Sequence, residues 1–72
     1  MTLRERLAIN LKRIMKLQGL TIPALVKICE KKEIKLSLAT IGNLRNNNYA
    51  ATLDTVEQVA EALGVTAVTL LM

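Results

Sequence analysis

The stretch TLDTVEQVAEALGVT, residues 52–66, carries a complete helix sentence. Thr52 stands where an N-cap hydroxyl is wanted, and Asp54 and Glu57 place negative charge in the first turns, where the helix dipole favours it. Leu53, Val56, Val59, Ala60 and Leu63 then recur at helical spacing and define an inner face. Gly64 stops the helix, and Thr66 caps a short one holding Val68, Leu70 and Leu71.

Working back toward the N-terminus gives the same grammar three more times. Thr2 and Glu5 form a Thr-x-x-Glu capping box, which predicts a helix over about residues 3–18 with the stripe Leu3, Leu7, Leu11, Ile14 and Met15 buried and Gly19 closing it. Thr21 caps a second helix, with Pro23 in its first turn and Ala24, Leu25, Ile28 and Cys29 on its apolar face, running to about Lys32. Cys29 at this spacing reads as a small buried hydrophobe. Ser37 caps a third helix that runs to about Asn46, with Leu36 and Ile41 as a hydrophobic staple and Leu44 continuing the buried side. Asn46, Asn47 and Asn48 end it, because Asn enters left-handed geometry readily. Gly42 in its middle costs about 1 kcal/mol relative to Ala, and marks either a close backbone approach or an exposed small position. No stretch alternates with period two, and there is no repeat, linker or low-complexity segment. The expected fold is all-α, a five-helix arrangement occupying residues 1–72 as one domain.

Composition narrows the function. Of the 72 residues 51% are apolar, with one Tyr and no Phe or Trp, so the core is aliphatic. One Cys and no His exclude an internal disulfide and an ordinary zinc site, and no cofactor is expected. The absence of His removes the commonest general base, the carboxylates are dispersed, and no nucleophile has an activating partner, so catalysis is not expected. No apolar run approaches membrane-spanning length and no signal peptide is visible, which leaves a cytoplasmic protein as the expectation. All ten basic residues lie between Arg4 and Arg45; with Glu5, Glu30 and Glu33 set against them, residues 1–45 carry +7, whereas Asp54, Glu57 and Glu61 give residues 46–72 a charge of −3. That asymmetry points either to a face turned toward a polyanion or to solvated helix surfaces.

Three segments resemble one family, the lambda-repressor/Cro-like or XRE-type helix-turn-helix regulators. They are Gly19-Leu20-Thr21 opening the second helix, Ser37-Leu38-Ala39-Thr40-Ile41-Gly42-Asn43-Leu44 as the recognition helix, and residues 52–66 as the fourth helix with its Ala-Leu-Gly-Val ending. The resemblance covers nearly the whole chain and implies a compact five-helix DNA-binding domain whose third helix enters the major groove. It places Leu38, Ala39, Thr40 and Asn43 at base edges, with Asn suited to adenine and the apolar groups to thymine methyls. Ser37, Arg45, Asn46, Asn47 and Asn48 fall where phosphates are contacted, Tyr49 either bonds a phosphate or packs on its loop, and the amides near Thr21 and Ile22 face another phosphate. The implied partner is double-stranded DNA, bound by a homodimer on a pseudo-palindrome by a prophage-type or bacterial repressor; the alternative is a protein-interaction module of the same fold, such as an antitoxin. Val68, Leu70, Leu71 and Met72 either form the dimer surface or close the core.

Three departures from the family pattern stand out. The turn between the second and third helices is lengthened by about five residues around Lys31–Lys35, and Lys31, Lys32 and Lys35 there are either an added phosphate clamp or a solvated loop. Ile22 replaces the Gln common at the start of the second helix. Met15 and Arg45 occupy positions where many members pair an Arg with an acid, which leaves Arg45 free for DNA.

Overall fold

The computed structural model describes residues 2–46 and 52–72. It holds five helices among these residues: α1 Leu3–Leu17, α2 Ile22–Lys31, α3 Leu38–Arg45, α4 Leu53–Leu63 and α5 Ala67–Leu71. Each begins at the hydroxyl residue expected for it. The side-chain oxygens of Thr2, Thr21, Ser37, Thr52 and Thr66 accept from the backbone N–H three residues on, and Glu5 returns the bond to the Thr2 amide to complete the capping box.

The buried stripes meet in one core. Leu7, Leu11, Ile14 and Met15 of α1 join Leu25 and Cys29 of α2, Leu36 of the connection, Ile41 and Leu44 of α3, Val56, Val59, Ala60, Ala62 and Leu63 of α4, and Leu70 of α5. α1 packs against both α3 and α5, α4 against α5 and α2, and α2 against α3. Leu36 and Ile41, the expected staple, are both buried. Four stripe residues are not: Ala24 and Ile28 of α2 are half-buried, and two more are exposed. Leu3 and Leu53 are 64% and 75% exposed. Each is the first residue of its helix, where the side chain leans back past the helix end and off the core. α5 divides the residues expected at its surface or in the core: Leu70 is fully buried and Leu71 half-buried, while Val68 and Met72 are open to solvent.

Three helices finish with a Schellman closure, in which two successive amides return to carbonyls of the last turn. In α1 the amides of Gly19 and Leu20 donate to Lys16 and Met15; in α4 those of Gly64 and Val65 donate to Glu61 and Ala60. The two glycines take φ of +67° and +72°. In α2 the amides of Glu33 and Ile34 donate to Glu30 and Cys29, and Glu33 itself holds the left-handed conformation at φ +58°. α3 ends at Asn46, whose φ of −92° and amide hydrogen bond to the Gly42 carbonyl match those of the cap residues Gln18 and Lys32 that close α1 and α2. Asn47 and Asn48 lie outside the described residues.

Side chains from the basic part tie down the acidic part. Asn10 Nδ2 donates to the Leu70 carbonyl at 2.8 Å, Gln18 Nε2 to that of Leu63 at 2.9 Å, and Lys32 Nζ to that of Glu61 at 2.9 Å. All three acceptors lie in the final turns of α4 and α5, where carbonyls lack partners within the helix or share them weakly. These bonds fix α4 and α5 against α1 and α2, and so set the frame that presents α3.

Candidate nucleic-acid interface

α3 turns Ile41 and Leu44 inward, at 0% and 1% exposure. The opposite side of a helix is then the set Ala39, Gly42, Asn43 and Asn46, at i, i+3, i+4 and i+7. Ala39, Asn43 and Asn46 are exposed and Gly42 is half-buried. A Cβ on Gly42 would meet Ile22 Cδ1 at 3.8 Å, an ordinary contact, so the site is neither a close backbone approach nor an exposed small position. It also shows that the start of α2 flanks the middle of α3.

The four residues expected at base edges do not share one environment. Ala39 and Asn43 occupy the open stripe, and Leu38, 54% exposed, stands beside it at the head of the helix. Thr40 belongs to the cap. Its amide donates to Ser37 Oγ at 3.0 Å, and the two hydroxyls lie 2.8 Å apart. Periodicity could have separated Thr40 from Ala39 and Asn43, because a capping residue's third neighbour is drawn back toward the cap.

At the start of α2 the Thr21 hydroxyl accepts from the Ala24 amide at 3.3 Å, and Pro23 has no N–H to offer. The first turn is therefore left with the Ile22 amide as its donor toward an anion. In the lengthened connection, α2 stops at Lys31 and the extra residues enter the loop before Ser37, not the helix. Lys31 and Lys35 are exposed, whereas Lys32 reaches α4 through its bond to Glu61. Asn47, Asn48 and Tyr49 lie outside the described residues.

Arg45 is half-buried and lines an open concavity of about 490 Å³ with Lys12, Met15, Lys16, Leu20 and Asn46. Lys12 and Lys16 are absent from the site read in the sequence. Their signal was there: they are four apart on the first helix, beside the Met15 and Arg45 departures already noted. Cys29, fully buried, has its thiol pushed up chiefly by burial, with Glu30 adding and its own backbone hydrogen bond and Lys32 opposing. No group of three or more potential metal ligands occurs among the described residues, and no helix there is long and apolar enough to cross a membrane.

An α-helix with an open polar stripe, held across the start of a second helix in a basic setting, is the arrangement that reads a groove. The profile of the Cro/C1-type HTH DNA-binding domain matches residues 10–71. The chain belongs to that family. The match takes in the second half of α1 and the whole of α2, α3, α4 and α5, so the helix-turn-helix is α2 and α3, with the connection of residues 32–37 between them. Comparison with curated proteins and with solved structures gave no match.

Proposed function

We propose that this DNA-binding domain is a sequence-specific transcriptional regulator, a repressor of prophage or bacterial type, that lays Ser37–Asn46 in the major groove. The observation that carries the reading is the open stripe of α3, where Ala39 and Asn43 stand clear of every capping bond and no acidic side chain lies on the helix. Asn43 pairs with adenine and Ala39 and Leu38 meet thymine methyls, while Thr40 contributes no more than its methyl. Phosphates are held by Thr21 and the Ile22 amide, by Ser37, and by Lys31, Lys35, Arg45 and Asn46. One short helix reads few bases, so the working form is a homodimer on a pseudo-palindrome with half-sites about one helical turn apart. Its surface is the exposed pair Val68 and Met72 with Ile9, which is 43% exposed. Such a protein works in the cytoplasm, on nucleoid DNA.

Selection of bound sites from a random duplex library tests this directly. A two-fold motif is the expected result, and Asn43→Ala should then lower affinity for the selected site by about 1–3 kcal/mol while binding random duplex nearly as before. Equal losses on both would remove Asn43 from base reading. A second reading, a protein-interaction module such as an antitoxin, is favoured by Leu38, a large apolar side chain at the exposed head of the recognition helix. Under that reading the library yields no motif and the affinity for duplex DNA is weak at all salt concentrations.

A further inference from the structure

The concavity between α1 and α3 brings three cations together without an acid. Lys12 and Lys16 stand four apart on one face of α1, and Arg45 comes from the last turn of α3. α3 has no acidic residue, and the one on α1, Glu5, is engaged in the cap at the far end of that helix. Like charges at i, i+4 repel, and a third cation adds to the repulsion. Met15, 2% exposed, and half-buried Leu20 form an apolar floor that lowers the local dielectric and strengthens attraction for an anion.

The position is as telling as the charge. Leu20 immediately precedes Thr21, the cap of α2, and Asn46 lies on the open stripe of α3. The concavity therefore continues the edge that already presents the Ile22 amide, on the flank of the recognition helix. We propose that Lys12, Lys16 and Arg45 seat phosphate groups of the DNA backbone beside the major groove, so that α1 is part of the DNA-binding surface. The assignment rests on the DNA-binding reading above and extends it to two lysines of another helix.

α1 supplies its own control. Arg6 and Arg13 line a different groove, with Ile9, Asn10, Thr69 and Met72 on the α5 side. Binding of the full chain to a fixed duplex is measured against salt concentration for the unsubstituted protein, Lys12→Gln/Lys16→Gln and Arg6→Gln/Arg13→Gln, with melting curves to verify folding. Each phosphate neutralised adds about 0.9 to the log–log slope, so the lysine pair should flatten it by about 2, equally on selected and random duplex. Ile9 and Met72 of the arginine groove belong to the proposed dimer surface, so the comparison is made at protein concentrations where sedimentation shows all three proteins equally dimeric; there the arginine pair should leave the slope unchanged. Equal flattening by both pairs, or none by the lysine pair, overturns the proposal. A failure of the DNA-binding reading is distinguishable, because the unsubstituted protein then shows no salt-dependent duplex binding at all. If in that case inorganic pyrophosphate raises the melting temperature of the unsubstituted protein but not of the lysine variant, the concavity takes free phosphates and the backbone assignment falls.

Discussion

The corners on either side of α2 close with the same pair of hydrogen bonds, yet one turns on Gly19 and the other on Glu33. Glycine enters the left-handed region freely, whereas a residue with a Cβ is about 1–2 kcal/mol worse there. The first corner is short, residues 18–21, and its glycine turns without strain between Gln18, bonded to the Leu63 carbonyl, and half-buried Leu20. The second spans residues 32–37 and is held on both sides of the strained residue. Lys32 is bonded to the α4 carbonyl of Glu61, Ile34 is half-buried, and Leu36 is buried against the core with its amide returned to Ile34 at 3.2 Å. The added residues are thus a fitted strap that delivers Ser37 to the head of α3, and the packing of its neighbours maintains the unfavourable φ at Glu33.

The largest test of that picture is Leu36→Ala. Removing a buried leucine should lower unfolding free energy by about 2–4 kcal/mol in denaturant titration. Leu38→Ala, two residues on but 54% exposed, should stay within about 0.5 kcal/mol. Similar losses at the two sites would mean that the strap is not anchored by its leucine.

Next in size is an exchange between the corners. Gly19→Glu puts a Cβ at φ +67° and should cost about 1–2 kcal/mol, although the space around it is open. Glu33→Gly relieves the same strain but frees the unfolded chain, so a gain of about 0.5–1 kcal/mol is expected from thermal melts. If both changes are neutral, the two corners differ only in sequence and not in energy.

These two corners also show what could be read in advance. The caps, the apolar stripes and Gly19 and Gly64 are local signals, decided within one turn of helix, and the five helices follow from them to within a residue or two. The left-handed Glu33 was invisible, because it depends on anchors at Lys32 and Leu36 that become anchors only once α4 and the core are in place. The same limit applies to the site. Ala39 and Asn43 follow from helical period alone. That Lys32 serves α4, and that Lys12 and Lys16 gather with Arg45, are consequences of packing between helices distant in sequence.

Cys29 gives the second corner a pH dependence that the first lacks. Its carbonyl accepts the Ile34 amide of the closure, and burial raises the thiol pKa in the folded chain. Folding therefore favours the protonated thiol. Stability from this group is intact below the ordinary thiol pKa of about 8.5 and is lost as pH rises through it, because the unfolded chain gives up its proton first. Melting temperatures measured from pH 7 to 9.5 should fall for the unsubstituted protein more steeply than for Cys29→Ala. Parallel curves would show that the thiol takes no part.

The smallest expected effect bears on what the strap is for. Lys32 has an exposed side chain whose ammonium nevertheless donates to a carbonyl in the final turn of α4, where positive charge also suits the helix dipole. Lys32→Met should therefore cost about 0.3–1 kcal/mol in stability and leave the salt slope of DNA binding unchanged. Lys35→Gln, one residue from buried Leu36 and two from the cap of α3, should do the reverse: no measurable loss of stability and a slope flatter by about 0.9. Two lysines three residues apart would then be divided by function, one holding the strap to α4 and the other facing the DNA. A slope change for Lys32→Met as large as for Lys35→Gln would return both to a single phosphate clamp, and would mean that the bond to Glu61 is given up when DNA is bound.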